Sequence, residues 1–221
     1  MKVNRHLRKA DAITLLEVLV VVVVVVILAG LVVPWLSRAK IKSERISCVS
    51  NLKNVGLAFR IFTTDHGGEF PWRVSGTNGT KDLLADPNAV WRHFLAISNE
   101  LSVPEILKCP ADRERDPAAG FANFGPANLS YFLGLEADEN EPRSILGGDR
   151  NLTTNGVDVG PGLLLLRTSQ IVGFSETIHR GEGNIVLGDG SVQQADRHLL
   201  QVSFRDAAAA STNAINRLLI P

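Results

Sequence analysis

An apolar run from Ile13 to Val33 constrains this chain more than any other feature: 17 of its 21 residues are Val, Leu or Ile, and only Thr14 and Glu17 are clearly polar. A helix needs about 20 residues to cross the hydrocarbon core of a bilayer, whereas the apolar core of a cleavable secretory signal spans about 7 to 15. The run therefore predicts a membrane span. Val20 to Val26 are all β-branched, which in water favours a strand, but a lone strand in lipid leaves its backbone groups unsatisfied, so the span must be helical. At roughly 0.3 to 0.6 kcal/mol per aliphatic residue, the run contributes on the order of 5 to 10 kcal/mol towards insertion, enough to carry one acidic residue near its end.

That residue, Glu17, has no Lys or Arg within the span. A carboxylate in hydrocarbon either takes up a proton or finds a positive charge. The nearest such charge is a new α-amino group made by cutting between Ala12 and Ile13. Lys9, Ala12, Ile13, Thr14, Leu15, Leu16 and Glu17 stand in the order basic leader, small residue, hydrophobic residue, Thr, Leu, aliphatic, Glu. This segment resembles the type IV prepilin-like signal, with Ala12 in place of the commoner Gly and Ile13 in place of the commoner Phe or Met. The resemblance implies removal of residues 1–12 by a membrane prepilin peptidase, which also methylates the amine of Ile13. It further implies a register role for Glu17, whose charge becomes acceptable when it meets the N-terminal amine of an adjacent subunit.

The leader carries Lys2, Arg5, Arg8 and Lys9 against Asp11, which favours a cytoplasmic N-terminus, although Arg38, Lys40, Lys42 and Arg45 follow the span. Over the whole chain, 23 basic residues balance 23 acidic ones, which argues against a nucleic-acid partner, because phosphate recognition needs a net basic surface.

Pro34 removes a backbone hydrogen bond and predicts a kink at the far membrane surface. Beyond it, Cys48, Leu52, Val55, Phe59 and Phe62 fall on one helical stripe, with Lys42, Glu44, Arg45, Lys53 and Arg60 mostly off it. One helix from about Ile13 to about Thr64 is the economical reading, stopped by Asp65-His66-Gly67-Gly68. The rest is rich in Pro, Gly and Asn. It holds a short helix-like stretch around Trp91 to Ile97 and strand candidates at Leu129–Leu133, Ser144–Gly147 and Leu163–Leu166. Asn184 to Gln193 predicts a hairpin, because Asp189-Gly190 between two β-prone runs makes a tight turn. The tail Asp206 to Asn216 reads as helical, and Glu136 to Glu141, four carboxylates in six residues, as a solvated loop.

Ser47-Cys48 with Asn51-Leu52-Lys53, Phe70-Pro71, Lys108-Cys109-Pro110, and His179 followed by Asp189-Gly190 also resemble a large bacterial group of prepilin-type proteins with an H-x9-D-G signature, abundant in planctomycetes and verrucomicrobia. The resemblance implies an α+β, pilin-like fold: a long N-terminal helix packed on a small antiparallel sheet, similar to type II secretion pseudopilins. The expected organisation is a leader (1–12), a transmembrane half-helix (13–34), an amphipathic half-helix (35–64) and an extracytoplasmic body (65–221). The expected partners are the prepilin peptidase, other pilin-like subunits, an inner-membrane assembly platform and the bilayer, with the body on the periplasmic side.

In an oxidising periplasm a Cys48–Cys109 disulfide is favoured over a buried free Cys48; closing a loop of about 60 residues contributes roughly 4 kcal/mol in the chain-entropy account. His179 and Asp189 match no metal-pair spacing, so His179, Asp189 and Gly190 read as a turn with a structural hydrogen bond from His179. Related pseudopilins carry a calcium loop near their C-terminus, which leaves Asp189 and Asp196 as weak cation candidates. No activated Ser or Cys arrangement supports a hydrolase. Two function classes remain: a structural subunit of a pseudopilus or type IV-like filament, or a membrane-anchored binding module that uses the prepilin signal for anchoring alone.

Overall fold

The computed structural model describes residues 14–210 and 214–221, with backbone alone at positions 33, 34, 37 and 38. The expected cleavage site, Ala12 and Ile13, lies outside the described residues. The chain divides into two compact units between Lys42 and Ser43.

Helix α1 (Leu15–Asp65) belongs to both. It starts at a hydroxyl: Thr14 Oγ1 accepts the N–H of Glu17 at 3.3 Å. Thr14-x-x-Glu17 is also the spacing of a capping box, in which Ser or Thr serves the third residue's amide and Glu sits in the first turn. Within the first unit, Leu15–Val32 has a mean hydropathy of 3.3 and not one buried residue. It is a helix long and apolar enough to cross a membrane. Helical backbone continues through position 34, so Pro34 does not end α1; the expected kink falls on a residue whose side chain is outside the described set.

The second unit is a mixed helix and antiparallel-sheet body. The predicted stripe on α1 is its seam: Cys48, Leu52, Val55, Phe59 and Phe62 are at most 4% exposed. A six-stranded sheet is formed by β1 (Tyr131–Gly134), β2 (Ile145–Asp149), β5 (Gly162–Arg167), β7 (Gly183–Leu187), β8 (Val192–Ala195) and β9 (Ile215–Ile220). Their order is β5-β9-β1-β2-β7-β8, antiparallel throughout. Side chains alternate across it as the period of two demands. Tyr131, Leu146, Val186 and Leu219 join the core under α1, whereas Phe132, Ile145, Ile185 and Leu218 join the core under α3 (Arg197–Ala210). The sheet is covered on both faces, one helix to each.

The hairpin expected at Asn184–Gln193 is β7–β8, with Val186 opposite Val192. Gly190, at φ +79°, takes the left-handed position of its turn, and Asp189 Oδ1 accepts the N–H of Ser191 at 2.8 Å. The turn is docked on α1: a Cβ at Gly56 would lie 2.8 Å from Val186 Cγ2 and 3.2 Å from the Gly190 Cα, and Arg60 donates to the Asp189 carbonyl at 3.0 Å. Glycine at position 56 is what lets helix and hairpin approach.

The expected helical tail is corrected. α3 begins nine residues earlier than expected, where Asp196 Oδ1 accepts the N–H of Leu199 at 2.8 Å. It buries Leu200, Phe204, Ala207 and Ala208. Ile215–Ile220 is a strand because β5 and β1 flank it on both sides. A second sheet, β4-β3-β6 (Val157–Asp158, Leu152–Thr154, Val172–Phe174), was not anticipated. Its signal was Asn155-Gly156, both at positive φ (52° and 82°), the dipeptide of a two-residue hairpin.

Between the end of α1 and β1 the chain packs α2 (Val90–Leu95) and short 3₁₀ turns against α1. His93 on α2 is fully buried, edge-on to Trp72, and its Nδ1 lies 2.6 Å from Thr80 Oγ1. Burial lowers its pKa to about 4, against 6.5 when unfolded. The unfolded chain therefore binds a proton that the folded chain rejects between those two values. The contribution of His93 is fully present above pH 6.5, lost as pH falls towards 4, and amounts to about 3 kcal/mol over that window. Unfolding free energy measured from pH 7 to pH 4 should fall less steeply in His93→Leu than in the parent, by a slope of about one proton.

Candidate metal centre

Four residues that the sequence places far apart converge under α1. Cys48 sits on the buried stripe, Cys109 follows the 3₁₀ turn Pro104–Leu107, Asp149 ends β2, and His179 lies in the loop before β7. All four are buried, and one ligand atom from each lies within 4.8 Å of every other. The Cys48 thiol donates to Asp149 Oδ1 at 3.0 Å. His179 Nε2 is 3.3 Å from Cys109 Sγ and 3.5 Å from Asp149 Oδ2. Asn184 donates twice to Asp149 Oδ2, from its backbone and its side-chain nitrogen, both at 2.8 Å. Tyr131 Oη lies 3.6 Å from Cys48 Sγ.

The loop carrying His179 is held in an uncommon conformation. His179, Arg180 and Gly181 all have positive φ, at 53°, 57° and 80°, a region that costs an L-residue on the order of 1–2 kcal/mol. Asn151 fixes it, donating to the carbonyls of Ser175 (2.8 Å) and Ile178 (3.0 Å). The turn aims the imidazole inward.

Burial raises the Asp149 pKa to about 6, although the bonds from Cys48 and Asn184 and the charge of Arg45 oppose it. Burial, with Arg45, lowers His179 to about 4. Burial also raises the Cys48 thiol, and Asp149 adds to that shift. Without a bound cation, Cys48, Asp149 and His179 are each pressed towards the neutral form.

Comparison of the chain with family models, with curated proteins and with solved structures gives no match. What the cluster does has to be read from its geometry.

Cys109, His179 and Asp149 supply the atoms of a thiol, imidazole and carboxylate relay. Such a relay needs the nucleophile on one ring nitrogen and the carboxylate on the other; here Nε2 faces both, and the thiol is 0% exposed. The arrangement does not serve nucleophilic attack. A nitrogen facing a sulfur and a carboxylate oxygen together can share its proton between them or, deprotonated, turn its lone pair to an ion that all three hold.

Several expectations are revised. Cys48 and Cys109 are neighbours, as a disulfide requires, yet both are free thiols; each sulfur has a different polar partner, Asp149 for Cys48 and His179 for Cys109. His179 does make a structural contact, but within this cluster and not with the Asp189-Gly190 turn. Asp189 and Asp196 serve the turn and the α3 start respectively. Three of the four loop carboxylates expected in solvent are ion-paired: Glu136 with Arg217, Asp138 with Arg73 and Glu139 with Arg60. Asp149 was missed altogether, since a single Asp behind Ile145-Leu146-Gly147-Gly148 reads only as the end of a strand.

Proposed function

We propose that this chain is a membrane-anchored, pilin-like structural subunit that polymerises through its N-terminal helix. The observation that carries the reading is α1 itself. One helix supplies an 18-residue window of mean hydropathy 3.3 with nothing buried, and further on a stripe sealed into a folded body. In this reading the leader is cytoplasmic, the body lies outside the inner membrane, and the apolar windows of neighbouring subunits bury one another when an assembly machine draws them from the bilayer. Glu17 sets the register by meeting the amine of Ile13 on an adjacent subunit, because any other alignment leaves a buried charge unpaired.

Glu17 also stands three residues after Thr14, where a capping box uses Glu or Gln. Glu17→Gln separates the two roles, since it keeps the helix start and loses the charge. The expected outcome is normal membrane insertion with ordered assembly reduced at least tenfold, read by cross-linking and electron microscopy of the native host. Unchanged assembly would reject the register role.

A second reading, the membrane-tethered binding module, draws on a cleft of about 730 Å³ whose walls include His66, Trp91, Arg92 and Glu100. It is favoured if the mature protein retains Met1 on intact-mass analysis, because a plain anchor needs no processing.

A further inference from the structure

We propose that Cys48, Cys109, Asp149 and His179 bind one divalent transition-metal ion of the zinc class, forming a closed structural centre that clasps α1 to the sheet. Zinc bonds of about 2.0 to 2.3 Å at tetrahedral angles place neighbouring donor atoms about 3.3 to 3.8 Å apart. The two edges at His179 Nε2 measure 3.3 and 3.5 Å, and the largest separation in the set, within 4.8 Å, closes with shifts of an ångström or less. Two sulfurs, one imidazole nitrogen and one carboxylate oxygen form a donor set for a borderline-soft ion, not for calcium or magnesium, which take oxygen.

The surroundings fit as well. Asn184 orients the carboxylate through both its nitrogens, and the Tyr131 hydroxyl lies beside the Cys48 sulfur, the kind of outer contacts that position metal ligands. Binding ionises both thiols and releases their protons to solvent. Two thiolates and a carboxylate around a divalent ion leave one net negative charge, and the charge of Arg45, which acts on both Asp149 and His179, opposes it. Among the described residues His179 Nδ1 has no hydrogen-bond partner, so the imidazole lacks the outer support that metal-bound histidines usually have. Access decides the role: Cys48, Cys109 and Asp149 are 0% exposed and His179 is 7% exposed. No position is open to a substrate or to bulk water, which is the character of structural centres and not of catalytic ones. The left-handed backbone at His179 and Arg180 then has a purpose, since it turns the ring towards three other ligands.

The test uses the full chain, purified in detergent, reduced, and freed of chelator. Titration with Co²⁺ should give one ion per chain, thiolate-to-cobalt charge-transfer absorption and the intense visible bands of tetrahedral cobalt. Zn²⁺ should displace it and raise the thermal midpoint. Cys109→Ser and Asp149→Asn should each weaken Co²⁺ binding by more than about 100-fold, and Asn184→Ala by about 10- to 100-fold. His198→Ala, at an exposed site on α3, should change nothing. The proposal is overturned if saturating Co²⁺ gives no charge-transfer band while both thiols react with a thiol reagent. It is equally overturned if the protein taken from its native membrane carries a Cys48–Cys109 disulfide. Both of these readouts use the unaltered chain, so neither depends on whether a variant folds.

Discussion

Phe59→Ala is expected to destabilise the body by about 3–5 kcal/mol, the range for removing a buried aromatic ring. Phe59 is 1% exposed, and three rings meet it edge-on: Phe70 at 6.2 Å, Trp72 at 5.6 Å and Phe94 at 5.5 Å between centroids. Phe70 and Trp72 are themselves stacked at 4.9 Å, and the Trp72 indole donates to the Leu135 carbonyl at 3.0 Å. These neighbours are pinned and do not collapse into the void, so the cost lies towards the upper end. For a body of this size the thermal midpoint should drop by roughly 6–20 °C. Leu57→Ala, two positions away but 57% exposed, should change stability by less than about 0.5 kcal/mol. Near-UV dichroism on heating reads both, and similar midpoints for the two variants would contradict the assignment of the seam.

Asp112→Ala should be about as costly, for an electrostatic reason. Asp112 is 1% exposed and receives a two-pronged bond from Arg150, Nε to Oδ2 at 2.7 Å and Nη2 to Oδ1 at 3.0 Å. The Ser130 hydroxyl and the Glu114 amide donate to the same carboxylate at 2.9 and 3.1 Å. Burial alone would raise its pKa, but the bonds and charge of Arg150 outweigh that and hold it below the usual carboxylate value. The pair's contribution is therefore present at neutral pH and is lost as acid protonates Asp112. Removing the carboxylate leaves a guanidinium whose side chain is only 14% exposed with one, largely exposed carboxylate partner, Glu114, and breaking a buried pair in this way costs about 3–5 kcal/mol. The double variant Asp112→Ala/Arg150→Met should recover a large part of the loss, because the only charge then left without its partner is that of Glu114, which is 62% exposed. If the double variant is no more stable than Asp112→Ala, desolvation of Arg150 is not the cause.

What the sequence made legible follows the range of each signal. The membrane-length window needed only composition, and the α1 seam only a period of 3.6 residues. Asp189-Gly190 announced its turn through four adjacent residues. The helical tail failed because Ala207 to Ala210 continues α3 instead of starting a helix, and because Ile215–Ile220 becomes a strand only through partners far away in the chain. The candidate centre was partly visible: Cys48 and Cys109 drew notice as a pair, and His179 by itself. Nothing local joins that pair to His179 or to Asp149, since the sheet and the loop before β7 do the joining. The ten-residue interval between His179 and Asp189 also acquires a physical meaning. β7 fills its middle, so the spacing brings His179 into the cluster with Cys48 and Gly190 beside Gly56, two stations along the same helix.

The placement of β9 has a consequence for the order in which the chain can fold. It follows the other strands of its sheet in chain order, yet it lies inside that sheet, between β5 and β1, with Leu219 paired to both Leu133 and Leu163. Until Ile215–Ile220 arrives, β1 presents an unpaired edge and β5 lacks its one strand partner in the sheet, the kind of surface that recruits strands from other chains. Closure across so long a stretch of sequence is slow. The arrival of Ile215–Ile220 thus sets the pace of folding: any pause before Ile215 leaves an open sheet.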